Sequence, residues 1–505
     1  MEKRTFLALA LSLLVLVSWS AFAPKPQHIA NQTVITSNNL PKSESSALLP
    51  AKENETLVST EAEGRWVNPW LEAGYSESRA ALKEALFKSY QDYRFPLHAG
   101  FMLDDKSAVF KREDSPTGTL RFVATGPGKR ISKELIAGNS PFEFWLQLNI
   151  VNLSDERLSL DLPLVLGLLD FSLNNLDSRY QNVIIAQEDK ILHLNGRKDV
   201  TSINAKFIGI SDRYFCAILE PVGATESAAF VKKLTPRQSE IGLLLSKIVI
   251  PAHQEFQQKF HIYLGPQELQ SINRVNPAWS PTINYGTFDF IAQSLLWLLR
   301  FFYGLVHNWG AAIVILSLVI YLLLFPLSVK QMRSMKEMQA LQPHIEELKK
   351  QHQDNPQKLN KEIMELYRTH KVNPMSGCLP LLLQMPIFFA LYQALMRTVA
   401  LRGAKFMWIK DLSSPDRLFT LPFSLPILGN EINILPLIMT AGMFIQQKFS
   451  TPASAANSSE QRMMLIIFPI MFGLIFYRMP AGLVLYWFIN STLMLIYQIR
   501  ISRKK

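Results

Sequence analysis

Five apolar spans without any Asp, Glu, Lys or Arg occupy most of the last 200 residues of the chain. They cover residues 308–329, 376–396, 432–447, 463–477 and 479–499, and each also carries at least one Ser, Thr, Tyr, Gln or Asn. Apolar runs of this kind predict transmembrane helices. Ionisable side chains inside a bilayer usually mark an ion relay or a catalytic dyad. Their absence from these spans therefore favours a membrane domain that handles amphipathic molecules over one that pumps ions.

A sixth apolar run lies at the N-terminus. Lys3 and Arg4 precede an uncharged stretch of 19 residues, 5–23, which Pro24 follows. The small residues at its end imitate a signal-peptide cleavage site, but a proline directly after them disfavours cleavage. At about 1.5 Å per residue the stretch nearly matches the hydrocarbon core. We therefore expect residues 1–23 to form a retained signal anchor and first transmembrane helix, with cleavage as the alternative.

A long region of mixed composition separates the first two spans. Residues 24–60 are rich in Ser, Asn, Thr and Pro, which predicts a flexible linker. Residues 61–285 predict a globular domain, in which the spacing of Leu82, Leu86 and Tyr90 predicts a helix over 76–93. Most of the remainder has the composition of short strands separated by turns, which predicts an antiparallel β-sandwich. We place these strands at 142–152, 158–164, 182–186, 191–194, 207–210, 215–219, 241–250 and 255–263.

The segment 286–304 is strongly apolar and is interrupted by Asp289, Gln293 and Arg300. It predicts an amphipathic helix that lies in the membrane interface. The alternative is a buried helix of the sandwich.

Basic residues orient these elements across the membrane. With the N-terminus on the inner side, the inner segments contain 17 Lys and Arg and the short outer segments contain six, as the positive-inside rule requires. After the interfacial helix we expect five further transmembrane helices, the second to the sixth, at 305–329, 376–397, 432–447, 463–478 and 479–499. On the inner side we expect a helical hairpin at 330–375, a loop at 448–462 and a basic tail at 500–505. On the outer side we expect a loop at 398–431.

The composition agrees with a membrane protein. Hydrophobic residues make up 48% of the 505 residues and the mean hydropathy is +0.10, which is too apolar for an ordinary soluble protein. The net charge of +11 comes from basic blocks beside the spans, so we expect no specific DNA partner. The two cysteines, Cys216 and Cys378, fall in the soluble domain and in a span, which predicts buried thiols rather than a disulfide.

The most specific string in the chain is KVNPMSGCLPLLLQMPIFFALY, residues 371–392. Further strings are FPLS at 325–328, followed by Met335 and by LQP at 341–343, then WIKDL at 408–412 and PAGLVLYW at 480–487. In this order they closely resemble the YidC/Oxa/Alb family of membrane protein insertases over about residues 300–500. SDRYF at 211–215 and YLGP at 263–266 add a looser resemblance to the Gram-negative YidC form, whose periplasmic domain is a β-supersandwich.

The resemblance implies a polytopic α-helical protein of the bacterial inner membrane, with six transmembrane helices, five of which form the insertase core, and an all-β periplasmic sandwich domain. Both termini are then cytoplasmic. The implied function is a non-enzymatic insertase and chaperone that moves hydrophobic segments from the cytoplasm into lipid, alone or with the Sec translocon. The implied partners are nascent membrane proteins, the ribosome, Sec translocon components and membrane lipids, and no cofactor or metal is implied.

Insertion needs a surface that tolerates both lipid and polar groups. When a client helix enters the bilayer, each unsatisfied polar group that its flanks expose to hydrocarbon costs several kcal/mol of free energy. A groove of neutral hydrogen-bonding side chains lowers this barrier to insertion. Ser317 and Tyr321 are four residues apart and share a helix face. The candidate lining consists of Ser317, Tyr321, Gln384, Gln446, Gln447, Tyr486, Trp487 and Asn490. The alternative is that these side chains make ordinary interhelical hydrogen bonds.

One position departs from the pattern that the resemblance implies. The family typically carries an arginine in the second span, five residues before the proline that Pro326 matches, and this chain has Tyr321 there. A phenol exchanges hydrogen bonds but does not attract an acidic client tail as a guanidinium does. Either the groove works through polarity and hydration alone, or Arg397 or Arg300 supplies charge from nearby.

The inner hairpin predicts two helices separated near residues 354–356, where Asn355 is a candidate N-cap and Pro356 a candidate first residue. Met332, Met335 and Met338 recur at helical spacing. They pack the hairpin itself or, because methionine adapts to varied apolar partners, capture clients.

Three other functions are alternatives to insertion. A multi-pass secondary transporter suits six spans, but it usually needs an intramembrane ionisable site or a discontinuous repeat pair. An intramembrane protease needs a zinc motif or two membrane aspartates. A carbohydrate-binding or sugar-modifying sandwich would need clustered groups, whereas His98, His193, His253 and His261 are scattered in sequence. We therefore expect no enzymatic activity and no catalytic or metal-binding residues.

Overall fold

The computed structural model describes residues 63–502 except 106, 172–179, 189, 224–226, 353–354, 371, 373–378, 426–427 and 451–458. The contacts divide the chain into two compact units, Met1–Ile283 and Asn284–Lys505. The predicted signal anchor and linker, residues 1–60, lie outside the described residues, as does Cys378.

Antiparallel sheets build the first unit. The four-stranded sheet contains β1 (Glu63–Val67), β2 (Glu72–Ser76), β3 (Ala81–Phe87) and β4 (Tyr93–Gly100) in sequence order. A five-stranded sheet has the order β13 (Val200–Asn204), β16 (Ser227–Thr235), β17 (Gln238–Ile250), β10 (Leu158–Asp170) and β5 (Met102–Leu103). A nine-stranded sheet has the order β12 (Ile191–Leu194), β11 (Asn182–Ala186), β14 (Phe207–Ser211), β15 (Phe215–Val222), β18 (Glu255–Pro266), β9 (Glu143–Asn152), β8 (Lys129–Ala137), β7 (Thr119–Gly126) and β6 (Lys111–Glu113).

The five- and nine-stranded sheets pack face to face, since β10 contacts β14 and β15 and β17 contacts β14. Strand β9 shows the pattern that drives this packing. Phe144, Leu146, Leu148 and Ile150 are buried, and the residues between them are partly exposed. The period of two places one apolar row in the core. The predicted β-sandwich is confirmed.

The helix predicted over residues 76–93 is wrong. The segment contains β3, which pairs with β2 on one side and β4 on the other. Ala85 and Phe87 are fully buried on one face of this strand. Positive φ angles at Gln91 (56°) and Asp92 (53°) then turn the chain into β4. Burial and pairing from both sides outweigh the local helix propensity.

The SDRYF string forms a tight turn between β14 and β15. Asp212 is buried, and its Oδ1 accepts hydrogen bonds from the backbone N–H groups of Tyr214 and Phe215, both at 2.8 Å. Its Oδ2 accepts one from the hydroxyl of Tyr93 at 2.7 Å. Cys216 follows as a buried free thiol, and burial raises its pKa. The prediction of a buried thiol is confirmed for this cysteine, and the string has a structural role.

Helices dominate the second unit. A short helix, α1 (Leu269–Val275), lies near the end of the first unit. The second contains α2 (Asp289–Val306), α3 (Trp309–Ala340), α4 (Gln342–Gln351), α5 (Pro356–Thr369), α6 (Leu379–Arg397), α7 (Ile434–Ser450), α8 (Ser459–Tyr477) and α9 (Ala481–Ser502), with a hairpin of β19 (Phe419–Leu425) and β20 (Gly429–Ile432) between α6 and α7.

Three helical segments among the described residues are long and apolar enough to cross a membrane: Asp289–Val306, Trp309–Met338 and Ala481–Arg500. Ile434–Gln447 and Ile466–Tyr477 are shorter apolar segments. The first of the three is α2, which packs against α3 and α6 within the second unit. The alternative that this helix is buried in the sandwich is therefore wrong.

The predicted hairpin contains one more break than the sequence interpretation gave. Helix α3 runs on to Ala340, and α4 begins after Leu341 with Pro343 in its first turn. The break predicted near residues 354–356 is confirmed at Asn355, which caps α5 by accepting a hydrogen bond from Lys358 N at 3.1 Å.

Candidate functional site

Helix α9 collects most of the predicted lining residues. Tyr486 is fully buried, and its hydroxyl accepts a short hydrogen bond from Gln384 Nε2 on α6. Asn490, one turn further along α9, donates from Nδ2 to the carbonyl oxygen of Tyr486 at 2.9 Å. The i, i+4 spacing places both side chains on one face. The structure thus bonds Gln384 to the side chain of Tyr486 and Asn490 to its backbone, so that three neutral polar residues lie together beside α9.

Tyr321 connects α3 to the same helix. Its hydroxyl donates to the carbonyl oxygen of Leu493 at 3.4 Å, which is a long contact. Its ring lies 5.8 Å from that of Phe325, which meets Tyr497 edge-on at 5.0 Å. Tyr486, Asn490, Leu493 and Tyr497 follow the i, i+4, i+7, i+11 pattern of one helix face. Tyr321 therefore lies on the α3–α9 seam, beside the same face of α9.

Ser317 lies one turn before Tyr321 and is fully buried. Its hydroxyl donates to the carbonyl oxygen of Ile313 in the same helix at 2.7 Å. Such a bond satisfies the hydroxyl without a partner helix.

Trp487 occupies an aromatic cluster that the sequence interpretation missed. Its ring lies 5.3–5.9 Å from those of Phe388, Phe472 and Phe476. The buried Nε1 has no hydrogen-bond partner among the described residues. A spacing of four residues between Phe472 and Phe476 was the available sequence signal.

Gln446 and Gln447 lie near the C-terminal end of α7 and are half-buried. Helix α7 packs against α8 and α9. The two glutamines therefore belong to the same helical bundle as the α9 face.

The hairpin methionines lie along the extension of α3. Met332 and Met338 are half-buried, and Met332 Sδ accepts a contact from Gln498 Nε2 of α9 at 3.6 Å. The backbone of Met335 is helical, and its side chain lies outside the described set. Met364 on α5 is 58% exposed. It is an additional candidate contact for apolar clients.

Arg397, one of two candidate sources of charge, is engaged elsewhere. Its Nη1 donates to the carbonyl oxygen of Asn284 at 2.6 Å. It ends α6, 13 residues after Gln384, which corresponds to about 20 Å of helix. Arg397 is therefore remote from Gln384 and from the Tyr486 hydroxyl that Gln384 contacts.

The α6–α7 connection, residues 398–433, covers one end of α3 and α9. The backbone N–H groups of Ala481 and Gly482 donate to the carbonyls of Ser414 and Leu412 at 2.8 and 2.9 Å. A Cβ at Gly310 would overlap the ring of Phe406. The first two N–H groups of α9, which have no acceptor within the helix, are thus satisfied by this connection.

Two buried polar residues fix the connection to the bundle. Asp416 Oδ2 accepts from Leu435 N at 2.7 Å at the start of α7. Asn433 Nδ2 donates to the carbonyl of Tyr477 at 2.7 Å, and its Oδ1 accepts from Arg417 N at 2.9 Å. In the WIKDL string, Trp408 Nε1 approaches Asp416 Oδ2 at 3.5 Å. This closure was not predicted from the sequence.

Comparison with known proteins agrees with the two-unit division. A family model described as 60Kd inner membrane protein matches residues 301–505, and one described as YidC periplasmic domain matches residues 92–298. A membrane protein insertase YidC from Syntrophobacter fumaroxidans is 35% identical over 402 residues, which span 77% of this chain and 72% of that protein.

A second membrane protein insertase YidC, from Pelobacter propionicus, is 31% identical over 556 aligned positions that span 100% of this chain and 99% of the relative. Among solved structures, an active YidC insertase with its first transmembrane domain resolved covers 87% of this chain and 93% of its own, with 20% sequence identity and a TM-score of 0.42.

Proposed function

This chain belongs to the YidC family, and from that premise we propose that it is a membrane protein insertase and chaperone. It is a multi-pass membrane protein with a periplasmic domain. In this proposal it takes hydrophobic segments of nascent proteins from the cytoplasm, releases them into the inner membrane and aids their folding. The proposal contains no catalytic step and no cofactor.

One observation carries the proposal: neutral hydrogen-bonding groups from three helices meet on one face of α9. Gln384 from α6 reaches Tyr486, and Tyr321 from α3 reaches the backbone at Leu493. The predicted spans contributing these residues contain no Asp, Glu, Lys or Arg. Neutral amides and phenols exchange hydrogen bonds readily, because giving one up costs far less than breaking a buried ion pair.

We propose that a client segment binds by exchanging these contacts. The polar flank of the client displaces the long Tyr321–Leu493 contact first, since 3.4 Å is near the limit of a hydrogen bond. Gln384, Tyr486 and Asn490 then hydrogen-bond the client, and its apolar part leaves sideways into lipid. Ser317, Gln446, Gln447 and Trp487 are assigned to the wall of this groove.

The α3 extension and the α4–α5 hairpin serve client capture in this proposal. Met332, Met338 and the exposed Met364 offer adaptable apolar contacts on the cytoplasmic side, and Met335 is assigned to the same surface. We further propose the ribosome and the Sec translocon as partners, and cytoplasmic location of both termini, as the resemblance implies.

We propose that α2 lies in the membrane interface rather than across the bilayer. It buries Ala292, Leu296 and Leu299 against its neighbours. Its other face exposes large apolar residues that suit the boundary between headgroups and acyl chains. They are Phe290, Trp297, Phe301 and Leu305.

A multi-pass secondary transporter is the alternative function. It requires a site whose occupancy is coupled to an ion, and such sites usually contain an intramembrane ionisable residue. Uptake of solute into sealed vesicles driven by an ion gradient would support the transporter. Gradient-independent insertion of a protein client would support the insertase.

The test is reconstitution of the purified chain into liposomes with a small single-span client, with insertion measured by protease protection. We expect more protected client than in protein-free liposomes. Equal protection in both would overturn the proposed function.

The Tyr321→Arg variant, measured in the same assay, tests the effect of having tyrosine where the family typically carries arginine. A guanidinium at residue 321 attracts acidic flanks, so we expect increased insertion of a client with an acidic tail and unchanged insertion of a neutral-tailed client. Tyr321→Phe is the matched control that removes the hydroxyl alone. Unchanged insertion of the acidic client by Tyr321→Arg would show that charge at this position is dispensable.

A further inference from the structure

The hairpin of β19 and β20 presents an apolar face that remains exposed. Phe419 is 58% and Phe423 59% exposed. Strand alternation groups Leu421 with these two phenylalanines and Thr420 with Ser424, and the pairing with β20 is irregular between Thr420 and Leu425. Leu421 is half-buried, and Thr420 and Ser424 are exposed. Neighbouring exposed aromatic and aliphatic side chains of this kind mark an interaction surface.

Charge in the hairpin is confined to its base. Residues 418–430 contain no Asp, Glu, Lys or Arg. The charged residues that flank this stretch, Arg417 and Glu431, pair with each other at 2.9 Å across the base of the hairpin. Protein–protein interfaces normally have a polar and charged rim around their apolar centre. An apolar face without such a rim fits a lipid surface better than a soluble protein.

The base of the hairpin is fixed to the helical bundle. Tyr477 donates from its hydroxyl to the carbonyl of Glu431 at 2.7 Å, and Asn433 donates to the carbonyl of Tyr477 at 2.7 Å. Leu418 N donates to the carbonyl of Ile432 at 3.0 Å. These bonds involve residues on both sides of the hairpin and the last residue of α8. The hairpin is thereby held at the end of the α7–α8 pair.

The apolar face continues into the exposed surface of α7. Phe419 pairs with Ile432, two residues before α7 begins. On the first turn and a half of α7, Leu437 is 47% and Ile438 is 40% exposed. In a multi-pass membrane protein such exposed apolar residues on a membrane helix contact lipid. The hairpin therefore begins where the lipid-facing surface ends.

We propose that the β19–β20 hairpin is a membrane-interface anchor, with Phe419, Leu421 and Phe423 inserted among the phospholipid headgroups beside α7. The hairpin contacts the bilayer surface on the side of the membrane where α3 begins. Aromatic and aliphatic side chains are stabilised there because they leave water while the backbone stays near polar groups. This inference rests on the membrane location of α7 and not on insertion activity.

Site-directed spin labelling of the full chain in liposomes tests the anchor. In a Cys216→Ala, Cys378→Ser background, single nitroxides are attached through Leu421→Cys, Phe423→Cys, Thr420→Cys or Ser424→Cys. Collision with oxygen and with a water-soluble nickel chelate gives the depth of each label. We expect the labels at 421 and 423 to lie about 5–10 Å below the headgroup boundary, with those at 420 and 424 closer to water.

Each result decides the inference. Water-like accessibility at both 421 and 423 would overturn it. Protection of these two labels from both reagents would mean that protein covers the face, either a second copy or another segment, and would also overturn it. Leu421→Cys retains both phenylalanines, so it decides the matter if Phe423→Cys disturbs the hairpin. Because client insertion is not measured, failure of the anchor is distinguishable from failure of the proposed function.

Discussion

Lys133 is enclosed by the sandwich, with its ammonium donating short hydrogen bonds to the carbonyl oxygens of Ala80 and Phe101. Both acceptor residues have positive φ angles, 47° and 59°, a region that non-glycine residues seldom adopt. Lys133 thus ties two turns of unusual conformation to β8. Burial lowers the pKa of Lys133 to about 7, whereas a lysine in an unfolded chain has a pKa of about 10.4.

This difference makes the stability of the sandwich depend on pH. Between about pH 7 and pH 10 the unfolded chain binds a proton that the folded chain has lost, so the free energy of unfolding rises with pH by up to about 1.4 kcal/mol per unit. We expect Lys133→Met to remove this slope. Urea titration with pulse proteolysis of the full chain in micelles at pH 7, 8 and 9 measures it. Lys206→Met, at an exposed position, is the control, and identical slopes for the wild type and Lys133→Met would contradict the prediction.

The residues of the candidate groove were easier to predict than their partners. A polar side chain in an apolar span is visible in the sequence, as for Gln384 and Tyr486. The acceptor of Tyr321 is a backbone carbonyl at Leu493, and every residue has such a group, so no residue type identifies it. Spacing within one helix similarly does not reveal that Ser317 bonds to Ile313 of its own helix.

Helix α3 shows what the position of a charged residue does and does not predict about where a helix ends. The sequence interpretation ended the second span at Val329 because Lys330 follows, yet the helix continues to Ala340. A charged residue limits the part of a helix that is buried in lipid, while the helix itself ends where its hydrogen bonding stops, here before Pro343. Strands β9 and β11 were located within a residue by their apolar runs. Strands β1 to β4 were not, because their partners determine them.

The α7–α8 pair depends on a close approach at Gly473. A Cβ there would overlap Thr440 Oγ1, which donates to the carbonyl of Pro436 at 2.8 Å. We expect Gly473→Leu to separate the two helices and to cost about 1–3 kcal/mol through overpacking, lowering the thermal unfolding midpoint in micelles. Gly442→Leu is the matched control on α7, since a Cβ there meets no described atom within 4 Å. Equal midpoints for the two variants would refute the argument.

At the scale of the whole molecule, every residue assigned to the groove and to client capture lies in the second unit, Asn284–Lys505. The first unit has its own core and its own hydrogen-bonded hub at Asn152, whose amide donates to the carbonyls of Glu156, Ile250 and Pro251 at 2.7–3.1 Å. The proposed groove and capture surface therefore contain no residue of the sandwich.

We accordingly expect a variant that lacks residues 63–282 to retain most of the insertion yield of the full chain in the liposome assay. The linker is joined directly to Ile283, so the second unit stays complete. Protein-free liposomes give the baseline, and helical circular dichroism checks that the variant is folded. A folded variant with baseline yield would assign the sandwich an essential role.

The uncharged predicted spans also determine how the protein responds to membrane voltage. One elementary charge that crosses a potential of 100 mV changes its free energy by about 2.3 kcal/mol. A groove formed by Tyr321, Gln384, Tyr486 and Asn490 carries no formal charge, so the potential exerts little net force on it. The client's own charged residues would then be the main part of the complex on which the electric field acts, and the voltage dependence of insertion would vary from client to client.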